Sequence, residues 1–155
     1  FDYLMMVAQG YQESRLDQSL VSHRGAVGIM QLLPSTAADK SVGIPDIHIA
    51  DNNIHAGVKY MRWIRETYFN DDAVDERNKT LFSFASYNAG PNRIRRLRAK
   101  AADRGFDPNE WFRNVEVIAA EEIGRETVQY VSNIYKYYAA YRLVMDELAR
   151  KERKT

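Results

Sequence analysis

Apolar side chains recur at three- and four-residue steps along most of this chain, and the spacing predicts a series of helices. Residues 3 to 13 place Tyr3, Leu4, Val7, Ala8 and Tyr11 on one face. From 52 to 69, Ile54, Val58, Met61, Ile64 and Tyr68 alternate with Lys59, Arg62 and Glu66, the pattern of an amphipathic helix. A nearly all-apolar helix is expected from Thr80 through TLFSFASYNAGP, ending at Gly90-Pro91, a capping glycine followed by a proline. Ile94, Leu97 and Ala101 form a stripe over 92 to 103, and Asp107-Pro108 is expected to open a short helix carrying Trp111 and Phe112. A further piece covers 115 to 123. The longest helix runs from Glu126 to about Glu152, with Val131, Ile134, Tyr138, Tyr141, Met145 and Leu148 inward and a fraying ARKERKT tail.

Between these lie segments of different character. Polar residues and the glycines at 25 and 28 interrupt the pattern from Asp17 to Gly28, which reads as an ordered loop with positive φ or close backbone approach at the glycines. Pro34-Ser35-Thr36 opens a short helix to about Lys40, residues 42 to 51 connect it onward with Asp51 as N-cap, and 70 to 79 reads as a charged loop. Strand-like alternation and long-period repeats are missing, so the fold class is all-α.

At 155 residues and 45% hydrophobic, the chain is expected to form one domain. Lys and Arg number 22 against 21 Asp and Glu, a net charge of +1 that supplies no global field for nucleic acid or a membrane surface. Cysteine is absent, which excludes disulfides, thiolate nucleophiles and zinc-thiolate sites. The opening FDYLMMVAQGY has neither an initiator methionine nor a signal-like run, and reads as cut from a longer protein.

Most familiar chemistries find no footing. His23, His48 and His55 are too scattered for a metal helix, and the acidic pairs at 71 to 76 lack the calcium-loop pattern. Ser14 sits in no nucleophile elbow, and GAVG at 25 to 28 lacks the spacing of a phosphate loop. The cluster Arg93, Arg95, Arg96, Arg98 and Lys100 reads better as a solvated helix face than as a nucleic-acid surface. What remains is Glu13, at the end of the first helix, where the negative end of the helix dipole favours the protonated carboxyl. A glutamate in such a place is ordinarily a surface residue. Its neighbour Ser14, and a later buried helix end whose Tyr87 and Asn88 need partners, make it a candidate acid.

Five blocks then carry a resemblance: Glu13-Ser14, GAVGIMQLLPSTA at 25 to 37, NNIHAGVKYM at 52 to 61, SYNAGPNRI at 86 to 94 and ETVQYV at 126 to 131. In this order they resemble the family 1 soluble-type lytic murein transglycosylases, whose catalytic domain is similar to goose-type lysozyme. Gln12 and the tail TVQYVSNIYKYYAAY are similar to the membrane-bound F type of that family. The resemblance implies a lysozyme-like helical domain with a substrate groove, cleaving the β-1,4 bond between N-acetylmuramic acid and N-acetylglucosamine to leave 1,6-anhydro ends.

It further implies Glu13 as the single catalytic acid and base, with Ser14 contacting the carboxylate or sugar. Met30 and Gln31 would line the groove, Tyr87 would bring its hydroxyl close to the carboxylate beside Asn88, and Glu126 and Tyr130 would add groove contacts. Ile29 stands where leucine is usual, and Ser86 where alanine is commoner.

No cofactor or metal is implied. The partner would be peptidoglycan glycan strands, met by a monomer in the periplasm or at the outer membrane of a Gram-negative bacterium. Membrane contact would come only through segments outside this chain. Two other readings stay open: a hydrolytic muramidase using a second carboxylate among Asp17, Asp39 and Asp46, and a peptidoglycan-binding module without catalysis.

Overall fold

The computed structural model describes residues 2–154, and seven α-helices account for most of them. They are α1 (Tyr3–Ser14), α2 (Pro34–Ala38), α3 (Ala50–Tyr68), α4 (Glu76–Ala89), α5 (Pro91–Asp103), α6 (Glu116–Ile123) and α7 (Arg125–Arg153). Extended pairing among the described residues amounts to two isolated antiparallel bridges, Val21 with Val27 and Val27 with Leu32, inside the loop after α1. The fold is all-α, as the periodicity predicts.

The core is organised on α4, whose residues from Asn78 to Ser86 are all buried. A helix buried on every side must be surrounded, and α4 packs against α3, α5 and α7. Phe69, Phe82 and Trp111 interlock at its base, Phe82 stacking on Phe69 at 5.5 Å and meeting Trp111 edge-on at 6.2 Å. A smaller cluster of Val27, Leu32, Ala37, Val42, Ile47 and Ala56 holds the long loop and α2 against α3.

α1 lies along α7. Asp2 caps α1 by accepting from the Leu4 N–H at 2.9 Å and also accepts from the Tyr138 hydroxyl at 3.2 Å, while Tyr11 meets Tyr137 edge-on at 4.9 Å. These ties set the first helix, and with it Glu13, against the last.

Several boundaries differ from those the pattern predicts. α4 starts at Glu76 and not Thr80, because Asp75 accepts from the Asn78 N–H at 2.7 Å and turns the end of the charged segment into an N-cap. Asp51 lies in the first turn of α3, with Ile49 at the cap. The Asp107-Pro108 segment is a turn, not a helix, and the residues after it, Trp111–Val115, form a distorted turn with Phe112 extended (ψ 130) and Arg113 left-handed (φ 65). Asn78 explains this: it accepts from the Trp111 N–H at 2.9 Å and donates to Glu110 at 3.1 Å, fastening that turn to α4.

α7 stays helical through Arg153, so the polar tail is ordered that far, whereas Met145 and Leu148, expected inward, are 43% and 51% exposed. A helix of 29 residues is about 43 Å long against about 18 Å for α1, and its last turns extend past the described residues it packs on.

Candidate active site

Glu13 occupies the last turn of α1, which closes at Arg15 and Leu16, both left-handed at φ 55 and 64. Four residues earlier on the same face is Gln9, wholly buried. Tyr130 reaches in from α7 and donates its hydroxyl to Glu13 Oε2 at 3.0 Å, while Gln9 Nε2 donates to the Tyr130 oxygen at 3.1 Å. Burial pushes the Glu13 carboxyl up to about 7, and the Tyr130 donor opposes that rise by favouring the carboxylate. A carboxyl poised there can both give and take a proton near neutrality.

The wall beside Glu13 is the loop between α1 and α2, and Met30 is its anchor. The Met30 N–H donates to Asn53 Oδ1 at 2.8 Å, and its carbonyl accepts from the Tyr87 hydroxyl at 2.6 Å. Asn53, buried in α3, also donates to the Val27 and Ile47 carbonyls at 2.8 and 3.0 Å, so one side chain ties three loop segments. Two glycines make room for this. At Gly28, φ is +77 and a Cβ would lie 2.5 Å from the Asn53 amide nitrogen; at Gly57 a Cβ would lie 2.6 Å from Met30 Cγ, so the Met30 side chain seats directly on the α3 backbone.

The residues expected at the site divide into three groups. Glu13 and Tyr130 are in direct contact, and Tyr87 is close enough that the Glu13 charge, after burial, raises its phenol further above its ordinary range. Tyr87 spends its hydroxyl on Met30, and the phenol that donates to the carboxylate is Tyr130. Ser14, Gln31 and Asn88 build the frame. The Ser14 hydroxyl donates to the Ile29 carbonyl at 2.8 Å and accepts from the Asp17 N–H at 3.2 Å. Gln31 Nε2 donates to the Leu20 and Gly28 carbonyls at 3.0 and 2.9 Å, and Asn88 accepts from the Thr127 hydroxyl at 2.7 Å, joining α4 to α7. Met30 is buried, and Glu126 is exposed in the first turn of α7.

The candidate second carboxylates are engaged elsewhere or open to solvent. Asp17 and Asp39 are exposed, and each accepts from a serine two residues on, Ser19 or Ser41, which holds their carboxyls below the usual range. Asp46 is exposed. Among the described residues, no three His, Cys, Asp or Glu side chains gather as a metal would need, and no helix is long and apolar enough to cross a membrane.

Known proteins share this sequence over most of its length. The sequence model of the family described as Transglycosylase SLT domain matches residues 2–110. The chain belongs to that family. A protein named membrane-bound lytic murein transglycosylase F from Desulfosudis oleivorans is 37% identical over 151 residues, which cover 89% of this chain and 32% of the relative. Proteins of the same name from Marinobacter nauticus and Pseudomonas fluorescens Pf-5 are 33% and 29% identical over 88% of the chain. The chain thus spans about a third of the length of these relatives.

The SLT match ends at residue 110, so Tyr130, the group that touches Glu13, comes from beyond it. Asn53 and Gln9 are site residues that the sequence pattern does not single out. Asn53 lies within the block NNIHAGVKYM, yet nothing in its periodicity marks it as buried; Gln9, in a helix of ordinary pattern, carries one weak signal, a polar residue four positions before Glu13. Ser14→Ala is expected to lower stability by about 1–2 kcal/mol, chiefly through the Ile29 carbonyl it leaves, since the Asp17 N–H keeps the Ser14 carbonyl. Activity at temperatures where the variant is folded should fall less than tenfold, a split that denaturant unfolding and turnover together would read.

Proposed function

We propose that this domain cleaves the MurNAc-β-1,4-GlcNAc bond of peptidoglycan without water, leaving 1,6-anhydro ends, with Glu13 serving first as acid and then as base. The observation that carries the proposal is a half-buried carboxyl, raised to about 7 and held by one phenol donor, with the candidate second carboxylates solvent-exposed.

In the first step Glu13 gives its proton to the glycosidic oxygen. The C1–O bond breaks with its electron pair going to that oxygen, and the substrate's own 2-acetamido oxygen stabilises the anomeric carbon. In the second, the Glu13 carboxylate takes the proton of the C6 hydroxyl as O6 bonds to C1. Glu13 is then protonated again and no water has been consumed. Glycosidases that use two carboxylates place the second across the bond; here the substrate supplies both the stabilising oxygen and the nucleophile. Holding O6 beside C1 gives it an effective concentration that water must beat.

The relatives' name, lytic murein transglycosylase, supports this substrate and reaction class. Their being called membrane-bound is consistent with a place at the periplasmic face of the cell wall. Mass spectrometry of the soluble products from purified peptidoglycan tests the proposal. Anhydro ends are lighter than reducing ends by one water; predominantly reducing ends would make the domain a hydrolase, and binding without release would make it a binding module.

Tyr130 offers a second test. Removing its hydroxyl takes a donor away from the carboxylate, so Tyr130→Phe should raise the Glu13 pKa and carry the basic limb of kcat/KM upward by about one pH unit. A limb that stays in place or moves down would refute the donor role.

A further inference from the structure

Gln9 is an expensive residue for its position. It is 0% exposed in the middle of α1, its Nε2 has one partner, the Tyr130 oxygen, and its Oε1 has none. A buried amide with an unpaired carbonyl is less favourable than an apolar side chain of the same shape. Nothing in the packing of α1 on α7 calls for polarity at that point, since Tyr130 would reach Glu13 with or without a neighbour behind it.

What the amide changes is direction. A phenol oxygen can donate one proton and accept at its lone pairs. With the Gln9 N–H filling the acceptor side, the O–H has one polar target in line, Glu13 Oε2 at 3.0 Å. Hydrogen bonds in such a chain polarise one another, so the donor behind Tyr130 strengthens the bond ahead of it. We propose that Gln9 is a positioning residue for the reaction: by donating to the Tyr130 oxygen it commits the phenolic proton to Glu13 and holds the carboxylate that must take up the C6 proton. This rests on Glu13 being the acid and base.

The other titratable groups around Glu13 leave the effect readable. Tyr130 on α7 and Tyr87 on α4 face it, with Tyr60 of α3 behind Tyr87 at 5.3 Å between ring centroids. Burial holds both Tyr130 and Tyr87 well above the ordinary tyrosine range, so neither ionises where Glu13 titrates. On α1 itself, Arg15 turns away and donates to the Tyr11 hydroxyl at 3.1 Å.

The test is Gln9→Leu, alone and combined with Tyr130→Phe, followed by kcat/KM against pH and by NMR titration of the Glu13 carboxyl carbon. Alone, the variant should keep or raise its Tm, leave KM within about twofold, and move the Glu13 midpoint up by a few tenths of a pH unit. In the Tyr130→Phe background the same change should move it no further. An unmoved midpoint in the single variant, or an equal shift with and without Tyr130, overturns the proposal. Should Gln9→Leu fail to fold, Gln9→Met is read by the same criteria. If the unaltered protein releases no anhydro-ended products, the functional reading fails while the NMR titration still decides the relay.

Discussion

Replacing Glu13 by Gln should abolish glycan cleavage and make the protein more stable above neutrality, two effects of one half-buried carboxyl. An amide keeps the shape and can still accept from Tyr130, but it neither gives nor takes a proton. Because one group serves both steps, the loss in kcat should reach roughly 10³-fold or more. Binding of an uncleavable chitooligosaccharide should be unchanged within a fewfold.

Stability follows from the raised carboxyl. The folded state holds the Glu13 proton up to about 7, against an ordinary value of 4.5. Between those values the native state binds more protons than the unfolded chain, so the associated stability is full below about 4.5 and is lost as the pH climbs through 7. The carboxyl retains partial contact with water, which puts the loss at about 2–3 kcal/mol. The amide of the Glu13→Gln variant is neutral throughout and does not suffer it. Denaturant unfolding of the two proteins should therefore coincide at pH ~4 and separate by that amount at pH ~8. Curves that coincide at both pH values would mean that the Glu13 carboxyl is not raised as described.

The second large effect is expected at Asn53. Asn53→Ala leaves the buried Met30 N–H without its acceptor and takes one of two donors from the Val27 and Ile47 carbonyls, which keep the Leu32 N–H and the Gln18 amide. One orphaned N–H and two weakened carbonyls place the cost at about 2–4 kcal/mol, and at this chain length Tm should drop by roughly 8 °C. Met30 is also the residue that the Tyr87 hydroxyl holds, so the damage reaches the site. At a temperature where the variant remains folded, turnover should still fall by about tenfold or more, through a loop no longer held at the geometry the reaction needs. A thermal melt and a rate at low temperature decide it; a Tm within about two degrees of the parent would show that water replaces the amide.

Much of the architecture is legible in the sequence because helix burial repeats at a period the chain displays openly. α3 and α5 are marked by apolar stripes, and α4 by an apolar run that ends in Gly90-Pro91, where φ is +96. The misses share a cause. The start of α4 and the distorted turn at Trp111 are settled by Asn78, a polar residue whose burial no period announces. Met145 and Leu148 carry the same spacing as Val131 and Ile134, yet among the described residues the last turns of α7 have little to be buried against.

The candidate site shows the same division. The five ordered blocks and the position of Glu13 at a helix end point to the reaction class, since those features are local or lie in the order of the chain. Which tyrosine touches the carboxyl is not among them. Tyr87 and Tyr130 both stand in the blocks, and a one-dimensional pattern cannot tell a hydroxyl aimed at a carboxylate from one aimed at a backbone carbonyl. The sequence by itself determined the helical elements, the family and the carboxyl to test first. Only the tertiary structure decided that Tyr130 meets Glu13, that Ser14 and Gln31 serve the loop, and that Gln9 stands behind the phenol. Hydrogen-bond direction and burial depend on how α1, α4 and α7 cross in space, and residues 117 and 121 positions apart in the chain become partners only there.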